Sequence, residues 1–245
     1  DSIAQGNLNE VVDVIDNVEF IELSDDINKT VDTLKKYINE AEKRMEKELE
    51  LAKNIQLAAL PTVDTTFDNR VDFDIYASMN AAKEVGGDFY DFYFTDENTL
   101  NILGAYVSGK GIPAAMFMMR AKAILKALTE KGLPVDEVFT LGNKALCEAN
   151  DAQMFITCWQ AKIDLKSGHV TYVNAGHNPP LVKTNGKYEY LKGKSGFVLA
   201  GFDGFVYKSQ EFDLNSGDYI YLYTDGVTEA TNSNNELFSE ERLIE

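Results

Sequence analysis

The hydrophobic period of this chain changes at Pro61. Before it, apolar side chains recur at Ile27, Val31, Leu34, Ile38, Ala41, Met45, Ala52, Ile55 and Ala59, in steps that alternate four and three. A seam of that spacing, held for more than four heptads between Glu and Lys flanks, predicts a coiled coil over 27–60. Only Glu48 interrupts it. One amphipathic helix lying on its own domain is the alternative, but such a helix needs a wider apolar face than this seam offers. Residues 1–60 contain no proline, and Pro61 is the expected stop. Glu48 in the seam marks the point where packing of the coil is weakest and where it can switch register.

After Pro61 the period becomes two. Val71 to Ala77 alternates apolar and polar, as a half-buried strand does. Strands are expected at 88–94 and 99–107, across the turn Thr95-Asp96-Glu97-Asn98. Helices follow at 113–128 and 135–149. Further strands are expected at 154–163, 169–174, 188–191, 206–214 and 218–223. Turns are legible at Lys166-Ser167-Gly168, Asn185-Gly186 and Asn215-Ser216-Gly217. Strands, two helices, then more strands predict an α+β sandwich.

Charge narrows the function classes. A formal net charge of −17 over 245 residues repels phosphate backbones and anionic lipid, which argues against nucleic-acid binding. It leaves phosphoproteins open as substrates, because a bound cation reverses the local field. The two cysteines, Cys147 and Cys158, have neither zinc-site nor redox-motif spacing and read as core thiols in a reducing compartment. No apolar run approaches the 18 residues of a membrane span, and no signal-peptide pattern opens the chain.

Three stretches carry candidate chemistry. In Val85-Gly86-Gly87-Asp88 two glycines allow close backbone approach, and an acid at a strand start can point into a site or be a plain surface acid at a bulge. Val107-Ser108-Gly109-Lys110-Gly111 has the glycines and lysine of a nucleotide loop, yet Gly111 stands where that loop needs a Ser or Thr for magnesium. A Gly-rich turn that feeds a helix N-terminus remains a reasonable site for an anion or a carbonyl-bound metal. In Tyr223-Thr224-Asp225-Gly226 an apolar strand ends in a carboxylate suited to a hard cation, with Gly226 expected to provide a sharp exit; an ordinary turn acid is the alternative.

The N-terminal stretch Gly6-Asn7-Leu8-Asn9, followed by Val18-Glu19-Phe20, resembles the second half of a HAMP linker, the parallel helical module beneath bacterial membrane spans. That resemblance covers 1–40. It implies a cytoplasmic protein at the bacterial membrane, attached only through segments before residue 1, and a homodimer through the coiled coil.

From Leu51 onward the three motifs, together with Asn174-Ala175-Gly176-His177-Asn178-Pro179-Pro180, closely resemble the PPM-type (type 2C) phosphatase domain of the SpoIIE/RsbU group. Leu51 to Pro61, with Ile55-Gln56 and Leu60-Pro61, looks like that group's lead-in helix. The resemblance implies a four-layer α-β-β-α sandwich over 61–245, lacking the family's final helix and strand. It implies two Mn²⁺ or Mg²⁺ ions that activate water against phosphoserine or phosphothreonine, and a phosphorylated STAS-domain anti-anti-sigma factor as partner. Asp88 and Asp225 match metal-binding and catalytic positions, and the Val107 carbonyl matches a further ligand. Ser108, Lys110 and Gly226 fall in loops near the substrate. His177 falls in a family motif and reads as a turn-stabilising imidazole.

One departure is decisive for the chemistry expected. Tyr106 stands where the family carries the Asp that bridges both ions. A carboxylate presents two anionic oxygens to ions about 3.5–4 Å apart, whereas a phenol presents one oxygen with an ordinary pKa near ~10. Reduced or absent metal occupancy is therefore expected, and a partner-binding pseudophosphatase is the alternative function. A purely structural coiled-coil scaffold accounts for residues 1–60 but leaves the glycine and aspartate motifs unexplained.

Overall fold

The computed structural model describes residues 3–13, 18–62, 67, 70–81, 84–184 and 186–245. Residues 1–2 and 14–17 of the expected HAMP-like segment, and Asn185 of an expected hairpin turn, lie outside the described residues. Two compact units are present, Asp1–Ala52 and Lys53–Glu245.

In the first unit a short 3-10 turn, Ile3–Gln5, leads through Gly6 toward Val12. Val12 is clasped by the long helix α1, Val18–Ala58. Its N–H donates to Asn28 Oδ1 at 2.9 Å, and its carbonyl accepts from Asn28 Nδ2 at 2.8 Å and from Ser24 Oγ. The helix is rich in Ala, Leu, Glu and Lys, which lose little rotamer freedom in a helix. Exposed pairs Lys36–Glu40 and Arg44–Glu48 add a few tenths of a kcal/mol each. Val31 is buried, but Leu34, Ile38 and Met45 of the seam are 46%, 45% and 61% exposed. Glu48 turns its charge to Arg44, four residues earlier. Among the described residues no helix is long and apolar enough to cross a membrane.

The second unit is built on two antiparallel sheets. The larger has the order β1-β2-β3-β4-β7, formed by Phe89–Phe94, Thr99–Val107, Ile156–Asp164, His169–Ala175 and Gln210–Asp213. The smaller has the order β6-β5-β8, from Lys187–Tyr190, Leu181–Thr184 and Tyr219–Tyr221. Successive side chains on a strand face opposite ways, and the two cores follow that alternation. Leu103, Ala105 and Val107 of β2 and Ile156 and Cys158 of β3 pack with Phe117, Met118, Leu125 and Phe139 of helices α2 (Gly111–Glu130) and α3 (Val135–Cys147). On the other face Leu100, Trp159, Ile163 and Tyr172 pack with Ile220 of the smaller sheet and with Leu222, just past its strand β8. The layers are thus helices, sheet and sheet, an α+β arrangement. Beyond them the smaller sheet exposes Tyr188, Tyr219 and Tyr221.

Three differences from the sequence expectation stand out. Val71 to Ala77 forms no ladder among the described residues, although Phe73, Ile75 and Ala77 are half-buried and Asp74 and Tyr76 exposed. Period two reports an extended backbone with one wet face; it does not supply a partner for the N–H and C=O groups. Arg70 fixes the start of this segment by lying 4.9 Å over the Phe94 ring while pairing with Asp72. Conversely β5 was not expected. Its four residues follow Pro179-Pro180 and are too few to show a period. The strand expected at 206–214 also shrinks to Gln210–Asp213.

Asp91, in the middle of β1, points toward α2 and pairs with Lys122 in a nearly dry setting. Removing one member of a buried ion pair strands the other charge, at a cost of about 3–5 kcal/mol. Lys122→Met should therefore lower unfolding stability by roughly that much in urea titrations. Lys122→Met combined with Asp91→Leu should recover most of the loss.

Candidate metal and phosphoryl site

The register of β1 and β2 builds the site. Phe89 lies opposite Ala105, and the Val107 N–H donates to the Gly87 carbonyl at 3.2 Å. Continued by one residue, that pairing sets Asp88 opposite Tyr106. Tyr106 shares its face of β2 with Gly104, which packs against Leu222, the residue that follows β8 of the smaller sheet. The chain running out of that sheet then delivers Thr224 and Asp225. The Thr224 hydroxyl donates to Asp88 Oδ2 at 3.0 Å, across 136 residues of sequence. Asp88, Tyr106 and Asp225 therefore converge at the shared end of the two sheets.

Electrostatics at this end is unfavourable for bare carboxylates. Burial raises the pKa of Asp88, the Thr224 hydrogen bond offsets part of that, and the charge of Asp225 raises it again. The Tyr106 phenol is pushed upward by burial, then by Asp225 and Asp88; a Gly109 N–H opposes, and Glu229 adds a further upward push. Tyr106 is thus a neutral phenol at neutral pH. Glu229, at the end of the short helix α4 (Asp225–Thr228), is the acid near this site that the sequence reading passed over. Its position four residues after Asp225, one helical turn on, was the available signal.

A hard cation fits part of this donor set. Asp88 keeps one carboxylate oxygen free of the Thr224 bond, and like-charge strain between Asp88 and Asp225 is what a cation relieves. Gly87 also leaves the Val107 carbonyl room: a Cβ there would lie 2.4 Å from that oxygen. Anionic and carbonyl oxygens are the ligands Mg²⁺ and similar ions take. A bridged pair fits less well. Tyr106 supplies one neutral oxygen where a bridging carboxylate was expected, and among the described residues no three His, Cys, Asp or Glu side chains gather to hold an ion.

The other expected positions divide. Ser108 is tied into the loop: its Oγ accepts from the Phe155 N–H at 2.9 Å, and its own N–H donates to the Phe155 carbonyl at 2.8 Å. Lys110 is exposed just before α2. Gly109 and Gly111 take φ of 99° and 69°, which permits the turn. Gly226 differs from expectation. It lies inside α4 without a positive φ, and an added Cβ would meet nothing closer than Thr224 Oγ1 at 4.0 Å. The exit from the strand is made by starting a helix at Asp225, which any residue at 226 can follow.

His177 is buried away from solvent. Its Nδ1 lies 3.0 Å from Thr157 Oγ1, and its ring stands over Gly104. The turn that carries it is held by Asn174, whose Oδ1 accepts from the His177 N–H and whose Nδ2 donates to the His177 carbonyl. Thr157 is the cross-strand partner of Tyr106. The imidazole thus supports the sheet behind the site.

With that geometry in view, comparison with known proteins is informative. The family profile of Stage II sporulation protein E (SpoIIE) matches residues 96–245, which include Tyr106, Val107, His177 and Asp225. The chain belongs to the SpoIIE family. It is 35% identical over 196 residues to the phosphoserine phosphatase RsbU of Bacillus subtilis (strain 168), covering 79% of this chain and 57% of RsbU. Among solved structures it resembles the SiaA-PP2C domain of Pseudomonas aeruginosa, with a TM-score of 0.69 at 21% identity over 83% of this chain and 81% of that one. RsbX in complex with magnesium is also similar, with a TM-score of 0.50 at 21% identity over 60% and 69% of the two chains. These two structures establish the PP2C-type fold. The chain thus carries a PP2C-type fold within the SpoIIE family. It spans 57%, 41% and 46% of the curated relatives it matches, about half their length.

Burial lowers the His177 pKa to about 4, with the Tyr223 backbone opposing slightly. The unfolded chain binds a proton near pH ~6.5 that the native state refuses until about pH 4. This contribution to stability is complete above pH ~6.5 and falls as pH drops through that window. Between pH 7 and pH 5 it amounts to about 2 kcal/mol, at ~1.4 kcal/mol per pH unit below ~6.5. His177→Gln should flatten the dependence of the urea midpoint on pH over this range by that amount.

Proposed function

We propose that the chain is the catalytic part of a metal-dependent phosphatase that removes phosphate from phosphoserine or phosphothreonine on a signalling protein. The observation that carries this reading is the meeting of Asp88 and Asp225 through Thr224 at the end of two facing sheets. Asp88, Asp225 and the Val107 carbonyl would hold Mn²⁺ or Mg²⁺. Such an ion, when bound, acidifies a water and neutralises phosphoryl oxygens in an in-line displacement.

The chain's own groups do the rest. Asp88 and Asp225 set where the ion sits. The Thr224 hydroxyl fixes one Asp88 oxygen, so the carboxylate presents its other oxygen in one orientation. Lys110, exposed beside the glycine turn, can approach a phosphoryl oxygen of the substrate as a point charge. Ser108 is spent on the Phe155 backbone and serves loop shape.

The likeness to a protein named for phosphoserine supports the substrate class. A phosphorylated STAS-domain anti-anti-sigma factor is the partner we propose. The exposed heptad seam of α1 supports a homodimer through a coiled coil, and the HAMP-like segment supports a place on the cytoplasmic side of the bacterial membrane. Repacking at Glu48 is the proposed switch point of that coil.

Tyr106 favours a second reading, in which the chain binds its phosphorylated partner with little turnover. A neutral phenol at the bridging position leaves a second cation without an anionic oxygen. Mn²⁺-dependent hydrolysis of a phosphopeptide by the full-length protein separates the two. Under the phosphatase reading the unaltered protein turns over, and Asp225→Asn lowers kcat/KM by about 100-fold or more, the loss of a few kcal/mol of transition-state stabilisation. A silent protein that Tyr106→Asp activates supports the second reading. Silence in both defeats the phosphatase assignment.

A further inference from the structure

Gln56 is a polar residue in the last turn of α1 and is only 3% exposed. Burying a carboxamide is unfavourable unless its hydrogen bonds are made. Both ends of this one are used on a single residue. Gln56 Nε2 donates to the Gly86 carbonyl at 2.6 Å, and Gln56 Oε1 accepts from the Gly86 N–H at 3.2 Å. A side chain thereby replaces the neighbouring strand that Gly86 lacks. Gly87, next along, passes its carbonyl to the Val107 N–H, and Asp88 follows. The grip thus closes two residues before the carboxylate. Tyr90, on the far side of Asp88, donates its hydroxyl to the Pro61 carbonyl at 3.3 Å. The segment that carries Asp88 is therefore tied on both sides to the end of α1 and the residues just after it.

We propose that Gln56 is a positioning residue for the Asp88 carboxylate, and that its paired hydrogen bonds to Gly86 set the affinity of the site for a divalent cation. The proposal rests on the reading of Asp88 and Asp225 as cation ligands. Its physical basis is that Gly86 and Gly87 have no side chains to fix their backbone. Without Gln56 the Gly86 N–H and carbonyl turn to water, and the backbone that carries Asp88 samples orientations other than the one that meets Thr224. Cation affinity falls with the fraction of time the competent geometry is populated.

The test is calorimetric titration of Mn²⁺ into the full-length protein, with amide hydrogen exchange at Gly86 and Gly87 measured without metal. Gln56→Ala is expected to weaken Mn²⁺ binding about tenfold and to speed exchange at both glycines. Gln56→Glu keeps the side-chain volume and an acceptor for the Gly86 N–H but cannot donate to its carbonyl when ionised. It should weaken binding by an intermediate factor and serves as the variant if Gln56→Ala does not fold. Unchanged Mn²⁺ affinity in the folded variant, with only the melting temperature lowered, would overturn the proposal and leave Gln56 a packing residue. Asp88→Asn is the control for the site itself. If it binds Mn²⁺ as tightly as the unaltered protein, the reading of the metal site fails, whatever Gln56 does.

Discussion

Two carboxylates held close together on one protein surface repel each other, and everything at the functional end of this fold follows from keeping Asp88 and Asp225 there. Burial, and after it the charge of Asp225, raises the pKa of Asp88, so keeping both carboxylates ionised here is costly. The structure offsets that cost with directed hydrogen bonds. Thr224 donates to one Asp88 oxygen, and the strand before Asp88 is closed against Val107. A cation placed between them would relieve the repulsion that remains. The same local field keeps the Tyr106 phenol protonated.

The scaffold can hold this strain because it is stiff just behind the site. β2 and β3 pair through nine residues, from Thr99–Asp164 to Val107–Ile156, and that ladder ends at the site. Gly104 makes room for the buried His177 ring, which in turn meets Thr157 opposite Tyr106. On the helical side Gln160 reaches across to Thr129, and Asp91 pairs with Lys122. Polar groups inside the sandwich are thus largely spent on register and on holding α2 against the sheet.

Tyr106 is the residue that sets the charge balance of this end. It stands opposite Asp88 and brings a neutral oxygen to a place flanked by two carboxylates. Because that position shares a face with Asp88, its side chain acts directly on charge balance. A phenol is also longer than a carboxylate, and both acids act on it electrostatically.

Much of this was legible in the sequence. The seam at Ile27 to Ala59 and the stop at Pro61 gave α1 because a helical period and a missing N–H are local properties. β2 fell where alternation placed it, and Asp88 and Asp225 stood out because glycines beside an acid mark special backbone. Other features had no local signal. Val71 to Ala77 alternates as a strand does, but pairing belongs to a neighbour the period cannot name. β5 was hidden by its shortness, and Gly226 was given a turn that a helix start makes unnecessary. The grip of Gln56 on Gly86 spans thirty residues, and the bond from Thr224 to Asp88 spans 136. The sequence by itself determined which segments are helical or extended and which residues have chemistry to offer, since those depend on nearest neighbours along the chain. Only the tertiary structure decided which of them meet, because the register of distant strands places their ends side by side.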